Sequence, residues 1–359
     1  MTRIALLSTS DTDLLSARAS GADYTYVNPT KAVHTEMAAA FESADLIVAR
    51  ILGSPQDLCG GFDRIRATGK PMVVLGGEQA PDAALMEMST VPMGIARDAH
   101  VYLAQGGTDN LAQLHAFLSD TVLLTGVGFE PPVEQPLWGE LARPSALRPQ
   151  GASAEPVGTR PRVGVLFYRA QQTAGNTDYV HALADAIDAS GGVGLPIFTA
   201  SLRDAPPDLL DHLATFDALI TTVLAAGGTK PANSSAGGDD EAWDVKALAA
   251  LDVPILQGLC LTRDRTSWTE SDEGMTPLDV ATQVAVPEFD GRIITVPFAF
   301  KETDSDGLPH YVPDLERCRR VAEIAVGHAR LRHIAPEDRR IAIVLSAYPT
   351  KHSRIGNAV

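Results

Sequence analysis

Cysteine is scarce in this chain: Cys59, Cys260 and Cys318 are the only three among 359 residues, and they lie far apart. That spacing offers neither a CxxC metal knuckle nor a disulfide framework, and it fits a reducing, cytoplasmic setting. Lysine is scarce too, 6 against 23 arginines, a bias of coding composition without functional weight. No run of eighteen apolar residues occurs, and the start "MTRIALLSTSDTD" passes from one arginine straight into a strand-like stretch. Neither a signal peptide nor a membrane span is read there. The net charge of −16 repels polyanions and so argues against nucleic acid and anionic membranes.

Phosphate-binding and hydrolytic motifs are missing as well. "GGTK" at 227–230 lacks the spacing of a phosphate loop, and "GGVG" at 191–194 falls after a helix and before a strand, the reverse of the dinucleotide arrangement. There is no GxSxG elbow and no HExxH. The nine histidines are scattered, and His181 and His212 read as helix-face residues rather than metal ligands.

What is present is an α/β rhythm, twice. β-favouring runs at 3–8, 24–27, 45–52 and 71–76 alternate with helical stretches at 33–43 and 108–119. Residues 131–161 then carry seven prolines and no periodicity, which predicts a linker draped over the surface. Beyond it, strands are expected at 162–168, 194–199, 216–224, 253–258, 292–298 and 341–345. Helices are expected after Asn176 or Thr177, near 206–214, at 241–250 and from Leu315 to Leu331, with a mobile, glycine-rich insertion at 225–240. The expected fold is two doubly wound, mostly parallel-sheet modules: an N-terminal domain 1–130, a proline-rich linker 131–161, and a second domain 162–359 that looks truncated at its C-terminal end. The closing "RRIAIVLSAYPTKHSRIGNAV" reads as the entry to further structure, so the chain is expected to be the front part of a longer protein.

In open parallel sheets ligands bind beyond the carboxyl ends of the strands, and here several strands of the second module run into cationic loops. Arg169 and Asn176 follow the first, Arg263 and Arg265 a later one, Lys301 the next, and Lys351, His352 and Arg354 the last. Arginine forks grip carboxylates, and Tyr168, Trp268, Phe298 and Tyr348 offer faces to a flat ring, so this edge suits a planar polycarboxylate. The same charges also fit a merely solvated face. "PEFDG" at 287–291 presents Glu288 and Asp290 as hard oxygen ligands, but Asp-Gly is a turn signal and the turn is preferred. "TESDEG" at 269–274 reads as a solvated loop, with Glu270 orienting Arg265 as the alternative. "PTKHSR" is the sharpest candidate for holding an anion.

The stretches "WTESDEGMTPLDVATQVAVPEFDGRIITVPFAFKE", "VGVLFYRAQQTAGNTDYVHALADAIDA" and "RIAIVLSAYPTKHSRIGNAV" resemble the large subunit of aerobic cobaltochelatase, the CobN family, homologous to the H subunit of magnesium chelatase. "VAVPEFDG" looks common to both branches, whereas "YPTKHSRIGNAV" and "FAFKE" lean to the cobalt branch. The resemblance implies a subunit that holds the macrocycle, hydrogenobyrinic acid a,c-diamide, for Co²⁺ insertion in cobalamin biosynthesis. An AAA+ ATPase subunit and a metal-binding-domain subunit would supply ATP hydrolysis, with ATP and Mg²⁺ bound on those partners and no cofactor or resident metal on this chain. Family members are several times longer, so no catalytic residue is carried over, and this chain alone is expected to be inactive. The alternatives are a non-catalytic tetrapyrrole-binding or assembly module, and the equivalent part of a magnesium chelatase.

Overall fold

The computed structural model describes residues 2–32, 34–52, 65–78, 80–143, 160–203, 205–224, 245–344, 347–348 and 351–355. The first domain is a four-stranded parallel sheet in the order β2-β1-β3-β4, made of β1 Ile4–Ser8, β2 Tyr24–Val27, β3 Leu46–Ile51 and β4 Met72–Gly76. Three of these strands, β1, β3 and β4, are buried along their whole length, because helices cover both faces. Alternation along each strand sorts the two layers. Ile4, Leu6, Val48 and Val73 meet α1 (Asp11–Ala19), α3 (Met93–Gln105) and α4 (Thr108–Thr121), while Ala5, Leu7, Ile47 and Val74 meet Met37 and Phe41 of α2 (His34–Ser43). Helix α3 is not announced by the sequence pattern, since its apolar face is built largely of alanine: Ala96, Ala99 and Ala104.

The second domain is a seven-stranded sheet in the order β11-β10-β9-β8-β6-β7-β5. Its parallel centre comprises β6 Arg162–Tyr168, β7 Val193–Thr199, β8 Ala218–Thr221, β9 Ile255–Leu261 and β10 Ile293–Thr303. Two antiparallel strands close the edges: β5 Trp138–Glu140 beside β7, and β11 Pro309–Pro313 beside β10. The helices are α5 (Arg169–Thr173), α6 (Asp178–Ala189), α7 (Pro207–Leu213) and α8 (Leu315–Leu331). Helices α6 and α8 pack on one face through Leu183, Ile187, Val321 and Ala325; α7 packs on the other through Leu209 and Leu213. Two doubly wound modules are therefore present.

Two readings of the sequence are corrected. Three residues of the proline-rich segment, Trp138–Glu140, are sheet, tied to Thr199, Phe198 and Ile197, because an exposed β7 edge offers them backbone partners. The buried strand expected at 341–345 does not form over 341–344. Ile341, Ile343 and Val344 are 84 %, 82 % and 91 % exposed, and Leu345 lies outside the described residues. The sheet edge such a strand would need, beyond β10, is already taken by β11, which reaches it through a short hairpin at far smaller loop-closure cost. The chain instead forms a separate hairpin, β12 Ala347–Tyr348 with β13 Lys351–Ile355. The expected helix at 241–250 is described only as Lys246–Ala249, and the insertion 225–240 lies outside the described residues.

Candidate functional site

Both sheets change direction at their first parallel strand. Strand β1 is flanked by β2 and β3, and β6 by β7 and β8, so each sheet has a switch point at the carboxyl end of that strand, where open α/β folds bind ligands. The two carboxyl edges meet. Asp11, which opens α1 after β1, accepts Lys301 Nζ from β10 at 2.9 Å and Lys31 Nζ, from beyond β2, at 2.8 Å. Asn28 donates to the same carboxylate at 2.9 Å. Burial works to raise the Asp11 carboxyl, but the hydrogen bonds from Lys31 and Lys301, the Lys301 charge and Asn28 together outweigh it, and the group sits below the usual range.

Two turns on, Arg18 pairs with Asp304 and, at 3.2 Å, with Asp306, both from the turn joining β10 to β11. Ser16 Oγ donates to the carbonyl of Thr173 in α5. Apolar contact reinforces these links: Leu308, at the tip of the β10–β11 hairpin, and Ala174 belong to the first domain's own core cluster. Beside this seam lies a cleft of about 710 Å³, lined among others by Asp11, Tyr26, Asn28, Lys31, Ser43 and Asp306. Its volume is that of a small-molecule pocket.

The structure brings Arg169, Arg263 and Lys301 to the same sheet edge, since β6, β9 and β10 run parallel. Each has a partner inside the chain. Lys301 holds Asp11; Arg169 Nη1 donates to the carbonyl of Gln135 at 3.3 Å; Arg263 stands 3.8 Å from Glu273. Arg265 grips Asp314 at 2.7 Å and not Glu270, and Asn176 Oδ1 accepts the Tyr311 N–H at 3.0 Å. Lys351, His352 and Arg354 lie on β13, a strand of the separate hairpin and not a loop following a strand of the main sheet. Of the aromatic candidates, Phe298 is fully buried in the core and closed to a ring, while Trp268 is covered on one face by the Arg317 guanidinium at 4.5 Å. Tyr168 Oη accepts the Leu224 N–H at 2.9 Å.

Asp290 and Gly291 form the turn read from the sequence, with Gly291 at φ +72°, and Asp290 is buried against Arg292 while Glu288 is exposed. Among the described residues no three His, Cys, Asp or Glu side chains gather as a metal site. Arg292, which sequence reasoning misses, organises the second switch point. Its Nη1 donates to the Val223 carbonyl and to Gln257 Oε1, and its Nη2 donates to the Leu224 carbonyl and to Asp290. In the first domain Arg50 does the same work, holding Asp13, the Leu103 carbonyl and the Gly77 carbonyl. Apart from Asp290 beside Arg292, nothing in the local sequence marks either arginine, because their other partners are distant along the chain.

Two open α/β sheets meet beside a cleft that carries charged side chains, and the seam between them is the candidate site. The comparisons with known proteins give the family. The CobN/Magnesium Chelatase family model matches residues 100–359, and the chain belongs to that family. It is 31 % identical over 307 residues to the aerobic cobaltochelatase subunit CobN of Pseudomonas aeruginosa, covering 81 % of this chain and 23 % of that protein. To the same-named subunit of a Sinorhizobium species it is 30 % identical over 346 residues, covering 88 % of this chain and 26 % of that one. The H subunit of the magnesium chelatase of Rhodobacter capsulatus is 25 % identical over 379 residues, with 91 % and 31 % covered. A solved structure, the catalytic subunit of cobaltochelatase from Mycobacterium tuberculosis, matches the whole chain at 56 % identity with a TM-score of 0.78, and this chain covers 29 % of it. The chain thus spans about a quarter of the length of the curated CobN relatives it matches.

Proposed function

We propose that this chain is the macrocycle-holding front portion of an ATP-dependent cobaltochelatase large subunit, working on hydrogenobyrinic acid a,c-diamide with Co²⁺ as the second substrate. The observation that carries the reading is the match, along all of this chain, to the catalytic subunit of a cobaltochelatase. The geometry supports it: a carboxylate-bearing flat ring needs a cleft beside cations, and here Lys31 stands on the cleft wall while Lys301 reaches the same Asp11 carboxylate from the second domain. The sequence carries no phosphate loop, in keeping with ATP and Mg²⁺ on a separate AAA+ subunit, assisted by a metal-binding-domain subunit. Among the described residues no helix is long and apolar enough to cross a membrane, and we place the complex in the cytoplasm.

The visible spectrum of the corrinoid diamide tests the reading. A saturable shift on adding this chain, weakened in Lys301→Ala, is the expected result. No shift, together with tight association with the two partner subunits, points instead to an assembly module. Turnover with Co²⁺, ATP and both partners is expected only when the remainder of the large subunit is supplied.

A further inference from the structure

Three arginines are buried among the described residues, and two of them face an acid: Arg50 faces Asp13 and Arg292 faces Asp290. The third, Arg169, is 9 % exposed and opens α5 at the carboxyl end of β6. Among the described residues its guanidinium meets no carboxylate, and its hydrogen bonding is the single contact from Nη1 to the Gln135 carbonyl. Burial depresses its pKa with nothing acidic to oppose the effect. Buried charges are ordinarily paired, so an unmatched one marks a place where a counter-ion is wanted.

A second donor group adjoins the same glutamine. Helix α4 is 14 residues long and begins after Gly107, a buried glycine that has no side chain with which to cap it. The first-turn N–H groups of Thr108, Asp109 and Asn110 find no acceptor among the described residues. Such a helix end carries partial positive charge and free donors. A Cβ built on Gly107 would stand 3.9 Å from Gln135 Nε2 and 3.9 Å from the Thr173 Cβ. Gln135 therefore lies between the two, with its carbonyl on Arg169, its amide nitrogen by Gly107, and its own N–H fixed on Gln105 Oε1 at 2.9 Å. Of the polar side chains of the first turn, Asn110 holds the Gly106 and Val133 backbone, and Asp109 is exposed.

We propose that the start of α4 and the guanidinium of Arg169 form an oxyanion site at the domain junction, taking one carboxylate or phosphate group. The guanidinium fork grips two oxygens in its plane, and the helix N–H groups meet the remaining lone pairs. Because α4 belongs to the first domain and Arg169 to the second, an occupant fastens one to the other. The site rests on its own geometry and not on the macrocycle reading.

The test titrates the chain with sodium phosphate and, separately, sodium succinate, at ionic strength held constant with chloride, and follows the unfolding midpoint and calorimetric binding. A saturable, single-site rise in midpoint is expected, as for any ligand bound only by the folded state. Arg169→Gln should weaken the apparent Kd about tenfold or more. Thr108→Glu sets a carboxylate at the helix start, which favours folding while competing with the bound anion, and should weaken it comparably. A rise no larger than in chloride alone overturns the proposal, and so does a Thr108→Glu variant that keeps the full response, even should Arg169→Gln fail to fold. The corrinoid diamide separates the sources of the anion. Ring uptake competed by phosphate and lost in Arg169→Gln supports the site with a ring carboxylate as occupant. Ring uptake that ignores both, or no ring uptake at all, beside an intact phosphate response supports it with a free anion as occupant, and the last of these outcomes removes the macrocycle reading alone.

Discussion

Arg50 and Asp13 form an ion pair at 2.7 Å with side chains 8 % and 9 % exposed, and Ser8 Oγ donates to the other carboxylate oxygen at 2.6 Å. A buried pair of this kind contributes little net stability over apolar residues of the same shape, but breaking it is costly because one charge stays behind. Asp13→Ala should therefore lower the unfolding free energy by about 3–5 kcal/mol, read from urea denaturation, with Arg50→Met in the same chain recovering part of the loss. No recovery in the double variant would refute the account. Residues of this sort are poorly legible in a sequence. The Asp290–Gly291 turn can be read because its signal is local, whereas Arg50 and Arg292 bind carbonyls at 77, 103, 223 and 224 that only the fold assembles. Conversely, Arg263, Arg265 and Lys301 can be placed on one edge from strand order, while their acids, Glu273, Asp314 and Asp11, cannot be assigned that way.

Among the elements, the parallel strands are the most legible, since continuous apolar runs such as 162–168 announce burial on both faces. The edges are not, because an edge is settled by competition for backbone partners. Strand β11 wins over 341–344 by proximity to β10, and β5 is recruited by β7 from a segment whose prolines suggest no pairing at all. Close helix packing gives a test at this scale. Gly194 in β7 lies under α6, and a Cβ there would stand 2.6 Å from the Ala184 carbonyl oxygen, so helix or strand must shift. Gly194→Ala is expected to cost about 1–3 kcal/mol by overpacking. An unchanged thermal midpoint would contradict the packing.

For the molecule as a whole, charge and apolar contact both hold the seam, and their sizes differ. Arg18 is 34 % exposed and Lys301 30 %, so each ion pair contributes about 0.2–1 kcal/mol and is screened by salt. Leu308 is 4 % exposed in the opposite domain's core, where truncation to alanine costs about 2–5 kcal/mol. Leu308→Asp should therefore separate the domains, seen as a larger radius of gyration in small-angle scattering, whereas salt at about 1 M, where screening is nearly complete, should change that radius little. The reverse ranking would show the seam to be chiefly electrostatic.

Acid tests the charged component of the same contact. Burial works to raise the Asp304 carboxyl, but Arg18 and two backbone N–H groups hold it below its usual value, as Lys31 and Lys301 do for Asp11. A depressed folded-state pKa means stability that is complete above the ordinary carboxylate range and lost as pH falls through the depressed value. The contribution of the seam should thus be flat at neutral pH and decline only below about pH 4. Arg18→Ala should flatten that decline in a pH series of thermal midpoints.

The covalent joint between the domains is shorter than its proline content suggests. Glu130, Val133 and Gln135 donate their N–H groups to Gln113, Asn110 and Gln105 of the first domain, while the Leu137 carbonyl accepts the Ala200 N–H just past β7. Between these anchorages stands Pro136, whose ring fixes φ. Any swing that widens the cleft must then turn within residues 135–137, where the proline removes one of the few soft torsions, more like a door on one pin than a weight on a cord.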